Sequence, residues 1–142
     1  METLGGRLAQ VTENDKPARC GPSPRDKLEG VLAPECAAIL VYTTFPNCAA
    51  AEASGRHLVQ EGLAGCINIL PGMISIYLWQ GTLQRSEEVV LIAKTTPERA
   101  EACMAAVLER HPYETPAVLA LPVTAGGAAY LDWIRAGTVA QG

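Results

Sequence analysis

One short run of the sequence combines three side chains that can do chemistry. His111-Pro112-Tyr113-Glu114-Thr115-Pro116 offers an imidazole, a phenol and a carboxylate within four residues, on backbone that two prolines stiffen. A borderline divalent metal ion accepts imidazole nitrogen, carboxylate oxygen and thiolate as ligands. Stiff exposed loops often carry function, so the run points to metal binding or to recognition of a small ligand.

The other chemistry-bearing residues exclude several classes of site. There is no Cys-x-x-Cys pair for a zinc ribbon, no Walker-type phosphate loop, and neither histidine has the i, i+4 partner of a helical zinc site. No combination of nucleophile, base and orienting residue is visible, so the sequence predicts a protein that is not an enzyme.

Charge and hydropathy limit the classes of partner that this chain is expected to bind. Eleven basic residues against fifteen acidic ones give a net charge of −4, and nucleic acids and anionic lipids both need clustered Lys and Arg. No apolar run reaches the 18 residues of a membrane span, and the N-terminus lacks the features of a signal peptide. We therefore expect a cytoplasmic protein with no nucleic-acid or membrane partner.

The composition changes sharply near residue 36. All seven aromatic residues follow that point, whereas the preceding stretch is rich in Gly, Pro and mixed charge. Such a stretch cannot bury enough apolar area to offset its ordering entropy. The sequence thus predicts a flexible N-terminal tail over residues 1–36 and one domain over 37–142.

Apolar periodicity in that domain predicts an α+β fold. The predicted elements are a strand over 37–44, a helix over 47–62 capped by Asn47, a strand over 64–79 bent at Pro71-Gly72, a strand over 82–95 after a Gln80-Gly81 turn, a helix capped by Thr95 or Thr96 and ended before Pro112, a strand over 117–123, and a short helix after Gly126-Gly127. The order is that of a ferredoxin-like βαββαβ sandwich with an extra C-terminal helix.

The predicted strands are apolar on both faces, although the two main helices cover only one. In the first strand Ile39 and Val41 alternate with Leu40 and Tyr42. Another copy of the same chain is the simplest cover for the second face, because most soluble oligomers are symmetric homo-oligomers. The alternative is that the tail or the last helix folds over it.

Several segments together resemble one known family, that of the CutA divalent-cation tolerance proteins. They are Thr44-Phe45-Pro46, the run over 63–72, Ser75-Ile76-Tyr77-Leu78-Trp79-Gln80-Gly81, the run over 87–95, His111–Pro116 and Tyr130-Leu131-Asp132-Trp133-Ile134. The resemblance covers about residues 37–136. It implies a cytoplasmic ferredoxin-like homotrimer, similar in architecture to the PII signalling proteins, that acts in tolerance of copper and other divalent metals without established catalysis.

The resemblance also implies where a ligand would bind. The family's proposed copper ligands, a Cys and a His-His pair, correspond here to Thr43, Arg110 and His111, so two of the three are replaced. The sequence instead leaves a different metal site, built from Cys66, His111 and Glu114 across a subunit boundary, for copper or another divalent ion. The predicted ligand pocket between subunits has a larger set of residues, namely Trp79, Lys94, His111, Tyr113 and Glu114.

Other interpretations remain open. The chain could be a PII-like regulator in which Lys94 and Arg110 meet a small anionic metabolite or nucleotide, or a non-catalytic scaffold. A thiol within a strand is more often buried and inert than a metal ligand, so a structural role is the stronger interpretation of Cys66. Glu114 is an equal candidate for an ion pair with Lys94 or with an Arg. His111 follows a helix, where a partly charged imidazole interacts favourably with the helix dipole.

Overall fold

A computed structural model describes residues 36–138 of the chain. Its elements are β1 (Ala38–Phe45), α1 (Cys48–Gln60), β2 (Cys66–Trp79), β3 (Thr82–Thr95), α2 (Ala100–Glu109), β4 (Val118–Val123) and α3 (Ala128–Gly137). This order confirms the predicted βαββαβ arrangement with its added helix. Apart from Cys36, the predicted tail lies outside the described residues, and so does the end of the chain from residue 139. No helix within 36–138 is long and apolar enough to span a membrane.

The four strands form one antiparallel sheet in the order β2-β3-β1-β4, which is the ferredoxin-like topology. Helices α1 and α2 cover one face, where alternate residues of the central strands are buried. The largest fully buried side chains on this side include Ile39, Val41, Phe45, Leu58, Leu91 and Val107. The core therefore lies between the sheet and these two helices.

The two main helices begin differently. Asn47 caps α1 as predicted, because its side-chain oxygen accepts a hydrogen bond from the Ala50 N–H at 2.8 Å. The predicted cap of α2 at Thr95 or Thr96 is wrong: α2 begins at Ala100, and Arg99 precedes it without a side-chain cap. The Thr95 hydroxyl is buried and donates instead to the Leu63 carbonyl at 2.7 Å. The Thr95 hydroxyl is thus used in a tertiary hydrogen bond and does not cap α2.

The long hairpin of β2 and β3 has both predicted irregularities. The register shifts between Leu70 and Met73, and Gly72 there has φ = 82°. At the tip Gln80 and Gly81 have φ values of 51° and 81°, the positive values at both turn positions that a tight two-residue hairpin favours. The register shift and the tight turn therefore lie where the sequence predicts the bend and the tip of the hairpin.

Both faces of this outer hairpin are exposed and apolar. Ile76 is 67 % exposed and Leu78 71 % on one face, while Trp79 is 62 % exposed on the other. On the sheet face that α1 and α2 leave open, Leu119 and Leu121 are also exposed. Helix α3 contacts β1 and β3 near Gly65 and Lys94, at one end of the sheet. It leaves Leu119, Leu121 and the outer hairpin exposed, so the last helix alone does not cover the second face.

Candidate functional site

His111 lies between the end of β1 and the loop over 111–117. Its Nε2 is 2.8 Å from the Thr44 carbonyl oxygen, and its Nδ1 is 3.1 Å from the Tyr113 backbone N–H. A carbonyl oxygen only accepts and an amide N–H only donates, so the ring must carry its proton on Nε2 and accept through Nδ1. The imidazole also stacks on Phe45, with ring centroids 4.4 Å apart.

This geometry holds the imidazole neutral and engages both of its nitrogens. Burial lowers the pKa of His111 below its usual value, and the hydrogen bond to Thr44 opposes that shift only in part. The ring binds strand and loop backbone, and not the carbonyls that end α2. The predicted interaction of a partly charged imidazole with the helix dipole is therefore wrong.

The three positions that correspond to the family's proposed copper ligands do not form a ligand set here. Thr43 is buried, with its hydroxyl oxygen 3.3 Å from the His111 Nε2, but a hydroxyl is a poor substitute for a thiolate toward copper. Arg110 follows α2 and is exposed. The residues present at these positions therefore do not fit a copper ion.

Cys66 and His111 lie at opposite ends of the sheet. Cys66 pairs with Lys94, and Lys94 pairs with Leu40 on β1, four residues before the Thr44 carbonyl that His111 binds. A strand advances about 3.3 Å per residue, so the separation along the sheet is roughly 13 Å.

The third predicted metal ligand, Glu114, is exposed in the 111–117 loop. Among residues 36–138 of one chain, no group of three or more His, Cys, Asp or Glu side chains is placed to hold a metal ion. The metal set of Cys66, His111 and Glu114 thus requires a second subunit, as the sequence predicts, and it stays a prediction.

A groove of about 670 Å³ runs along the open sheet face between the hairpin and the 111–117 loop. Its walls are Thr44, Tyr77, Trp79, Gln84, Ser86, Glu88, Tyr113, Thr115 and Ala117. Two of the five predicted pocket residues, Trp79 and Tyr113, line it. His111 lies behind Tyr113, with ring centroids 5.1 Å apart, and Glu114 is not part of the wall.

Lys94 does not line this groove and is far from Trp79. It lies twelve residues along β3 from Thr82, the partner of Trp79, which corresponds to about 40 Å of extended strand. Its ammonium group donates to the Tyr130 hydroxyl at 2.8 Å and lies 5.1 Å from the centre of that ring. Within one chain, Lys94 therefore links the sheet to α3 and cannot contact the same ligand as Trp79.

Glu88 and Tyr77 belong to the groove although the predicted pocket leaves them out. The Tyr113 hydroxyl donates to a Glu88 carboxylate oxygen at 3.3 Å, and the Ser86 hydroxyl donates to Tyr77 at 3.5 Å. Burial, followed by the negative charge of Glu88, raises the pKa of Tyr113. Strand alternation is the signal that finds them, because Gln84, Ser86 and Glu88 share one face of β3 and Tyr77 pairs with Gln84.

Comparisons with known proteins agree on one family. The model of the CutA1 divalent ion tolerance proteins matches residues 39–137. A chloroplastic CutA protein of Arabidopsis thaliana is 42 % identical over 100 residues, which are 70 % of this chain and 55 % of that one. The divalent-cation tolerance protein of Pectobacterium atrosepticum is 36 % identical over 72 % of this chain and 94 % of its own. This chain thus spans little more than half of the plant relative but nearly all of the bacterial one.

Solved structures give the same result. CutA from Xylella fastidiosa superposes with a TM-score of 0.70 at 36 % identity, over 72 % of this chain and 99 % of its own. The divalent cation tolerance protein of Thermus thermophilus gives 0.68 at 39 % identity, over 72 % and 99 %. Both the sequence and the fold therefore match this family over most of the chain and not only at single motifs.

Proposed function

This chain belongs to the CutA1 divalent ion tolerance family, and from that premise we propose that it acts in tolerance of divalent metal ions as a cytoplasmic, non-catalytic homotrimer. The observation that carries the proposal is the outer hairpin. Its two apolar faces, with Leu78 71 % and Trp79 62 % exposed, have no cover among residues 36–138. Exposed apolar surface of this extent is typical of a protein–protein interface.

Two observations support the absence of catalysis. The Cys103 thiol is buried, and burial raises its pKa to about 12, so it is a poor nucleophile at neutral pH. His111 uses both ring nitrogens in hydrogen bonds to backbone, which leaves the imidazole without a free nitrogen to act as a base.

The oligomer is tested by light scattering on the eluting protein. The wild type is expected at about three times the 15.0-kDa chain mass, and Leu78→Asp is expected to shift the mass toward the monomer, because a charge buried in an interface is costly. Leu108→Asp is the matched control, since Leu108 is 51 % exposed on α2, away from the hairpin. A wild-type mass of one chain, or equal effects of both variants, would contradict the proposed trimer.

Direct metal binding is tested separately by calorimetric titration with Cu²⁺ and Zn²⁺. If Cys66 and Glu114 of neighbouring subunits complete a site with His111, Cys66→Ser and Glu114→Gln each weaken binding by about tenfold or more. His111→Ala is also expected to weaken metal binding by about tenfold or more. In the wild type the His111 imidazole must first give up one of its hydrogen bonds to backbone before it can bind a metal ion. Equal weak binding by all four proteins would remove this site.

The biological part of the proposal is tested by growth. Cells that lack their own family member are grown in graded Cu²⁺, Zn²⁺ and Co²⁺, with and without this chain. Improved growth that Leu78→Asp abolishes and Leu108→Asp preserves would support a trimeric protein in metal tolerance. The alternative of an anionic metabolite receives no support from the groove, whose described wall contains Glu88 and neither Lys nor Arg.

A further inference from the structure

A second groove, of about 360 Å³, lies between α1 and α2. Glu61, Ala102 and Glu109 in its wall are exposed, so the groove opens on the solvent side of the helix layer. The proposed homotrimer covers the outer hairpin and the open sheet face, which is the opposite side of the sheet from these helices. The interhelical groove therefore stays accessible in that assembly.

Arg99 brings an unpaired charge to the interhelical groove. Its side chain is partly buried, and its Nε is the only buried side-chain nitrogen or oxygen within residues 36–138 that lacks a hydrogen-bond partner. Arg99 forms no ion pair within this range, whereas three of the other four arginines do, namely Arg56, Arg85 and Arg135. A buried donor without an acceptor is destabilising, so an incoming acceptor would gain a hydrogen bond here.

The guanidinium group of Arg99 lies beside the core and not out in solvent. Cys103 follows Arg99 by one helical turn and is fully buried. Burial raises the pKa of the Cys103 thiol, and the nearby charge of Arg99 opposes this rise. An arginine fork in such partly desolvated surroundings binds a carboxylate more strongly than an arginine in water does, because the charge-assisted hydrogen bonds are less screened.

Two carboxylates in the wall limit which anions the groove can accept. Because β1 and β3 are antiparallel, the helices that follow them are antiparallel too, and Glu61 at the end of α1 lies near the start of α2. Glu109 lies ten residues after Arg99, about 15 Å along α2. Neither carboxylate forms an ion pair within residues 36–138. A polyanion would be repelled, whereas a ligand that carries both a carboxylate and an ammonium group matches both charges.

The rest of the wall is apolar and is not a metal site. Leu63 is buried and Ala106 partly buried, and together they form the apolar floor of the interhelical groove. His57 also lines the groove, but within residues 36–138 no three His, Cys, Asp or Glu side chains are placed to hold a metal ion. A volume of about 360 Å³ is at the small end of the range of small-molecule sites.

We propose that the groove between α1 and α2 binds a small apolar α-amino acid, with Arg99 pairing with its carboxylate, Glu61 pairing with its ammonium group and the apolar floor contacting its side chain. This site depends neither on divalent-ion binding nor on the contacts of the outer hairpin. The proposal and the proposed function can therefore fail independently.

L-Leucine is the probe, and two analogues each lack one of its charged groups. 4-Methylpentanoate has no ammonium group, and 3-methylbutylamine has no carboxylate. In ligand-observed NMR on the full chain, leucine is expected to bind with a Kd of about 1 mM, and each analogue about tenfold more weakly or not at all. No binding of leucine at about 10 mM, or equal binding of leucine and either analogue, would overturn the proposal.

Two matched pairs of variants locate the site. Arg99→Met is expected to weaken leucine binding by about tenfold or more, whereas Arg110→Met is expected to leave it unchanged, since Arg110 is exposed beyond the other end of α2. Glu61→Gln is expected to weaken binding by about three- to tenfold. Its control is Glu101→Gln, because Glu101 is exposed on α2 and does not line the groove. Equal losses within either pair would overturn the proposal.

Thermal unfolding separates a binding arginine from a structural one. Without ligand, Arg99→Met is expected to unfold at the wild-type midpoint or above it, because Met keeps the packing of the side chain and removes the unpaired donor. Leucine is expected to raise the midpoint of the wild type and not that of Arg99→Met. A clearly lower midpoint of Arg99→Met without ligand would overturn the proposal, because it would mean that Arg99 already has its partner inside the chain.

Discussion

Acidification should loosen the attachment of the 111–117 loop to the sheet through protonation of His111. In the folded protein the neutral ring donates from Nε2 to the Thr44 carbonyl and accepts at Nδ1 from the Tyr113 N–H. Protonation places a second N–H on Nδ1, directly facing the amide N–H of Tyr113. Two donors then oppose each other at 3.1 Å, so the link between ring and loop must break before or when the proton binds.

The sign follows from the direction of the pKa shift. Burial lowers the pKa of folded His111 below its ordinary 6.5, so between those two pH values the unfolded chain holds the proton and the folded chain does not. The stabilisation is present in full above about pH 6.5 and is lost as the pH falls toward the folded pKa. One proton gives a slope of at most about 1.4 kcal/mol per pH unit.

The variant His111→Phe isolates this contribution. Phe keeps the stack on Phe45, removes both hydrogen bonds and does not titrate. Each lost hydrogen bond is worth about 0.5–1.5 kcal/mol, so the variant is expected to be less stable by about 1–3 kcal/mol above pH 7. This difference from the wild type should shrink as the pH falls from 6.5 toward 5. Only the wild type has a side chain at position 111 that binds a proton more readily in the unfolded chain, so only the wild type loses stability there on acidification.

Two measurements check the reasoning. Denaturant unfolding of both proteins at one chain concentration gives the stability difference as a function of pH, and nitrogen NMR of the imidazole gives the tautomer. The chain has two histidines, so His57 on α1 supplies the second ring signal, and His111→Phe assigns the first. A stability difference that stays constant from pH 5 to 8, or a His111 ring protonated on Nδ1 at neutral pH, would refute the assigned hydrogen bonds.

Three further substitutions test the packing that positions the site. Gly65→Ala puts its Cβ 2.6 Å from the backbone oxygen of Ile134 and is expected to cost about 1–3 kcal/mol of unfolding free energy. Gly55→Ala meets side-chain atoms of Ile67 and Leu91 and no backbone, so a loss in Gly55→Ala equal to that in Gly65→Ala would contradict the backbone clash. Asn47→Ala removes the cap of α1 and should cost about 1 kcal/mol in denaturant unfolding, with Asn47→Asp recovering most of it. Thr95→Val leaves a buried loop carbonyl without its 2.7 Å donor and should lower the unfolding free energy by about 1–3 kcal/mol; an unchanged midpoint would show that another donor replaces the hydroxyl.

The hairpin and the sheet order were predictable because local chemistry and global fold agree there. Pro71-Gly72 interrupts one apolar run and Gln80-Gly81 separates two others, and the structure has a register shift at the first and a tight turn at the second. The cap of α1 was predictable for the same reason, since Asn47 serves only its own helix. Thr95 lacks this independence, because its hydroxyl can reach a loop carbonyl that the local sequence does not reveal.

Helix faces were predicted less well than strand faces. Val59 follows Gly55 by one helical turn and Leu108 follows Met104 by one turn, so helical spacing predicts both on the apolar stripes of their helices. They are nevertheless 42 % and 51 % exposed, and Ser54 is buried in α1 instead. A helix that packs on a twisted sheet buries only the residues nearest the contact, and α1 approaches the sheet at Gly55, where a Cβ would lie 2.8 Å from the Ile67 side chain. The width of the buried stripe depends on this approach, which periodicity does not give.

In the candidate site, residues whose side chains suit one ligand lie far apart in the structure. The predicted metal site groups His111 with Cys66, and the predicted ligand pocket groups His111 with Lys94, because these side chains suit a ligand. The β pairing instead places Lys94 and Cys66 at one end of the sheet and His111 at the other. The same alternation places Glu88 on the face of the groove, about 20 Å along β3 from Lys94. A ligand that contacts Lys94 and Trp79 together therefore needs two chains, whereas one that contacts Glu88 and Tyr113 needs one. The oligomer then determines whether these ends meet, and the mass of Leu78→Asp becomes the measurement on which any shared site depends.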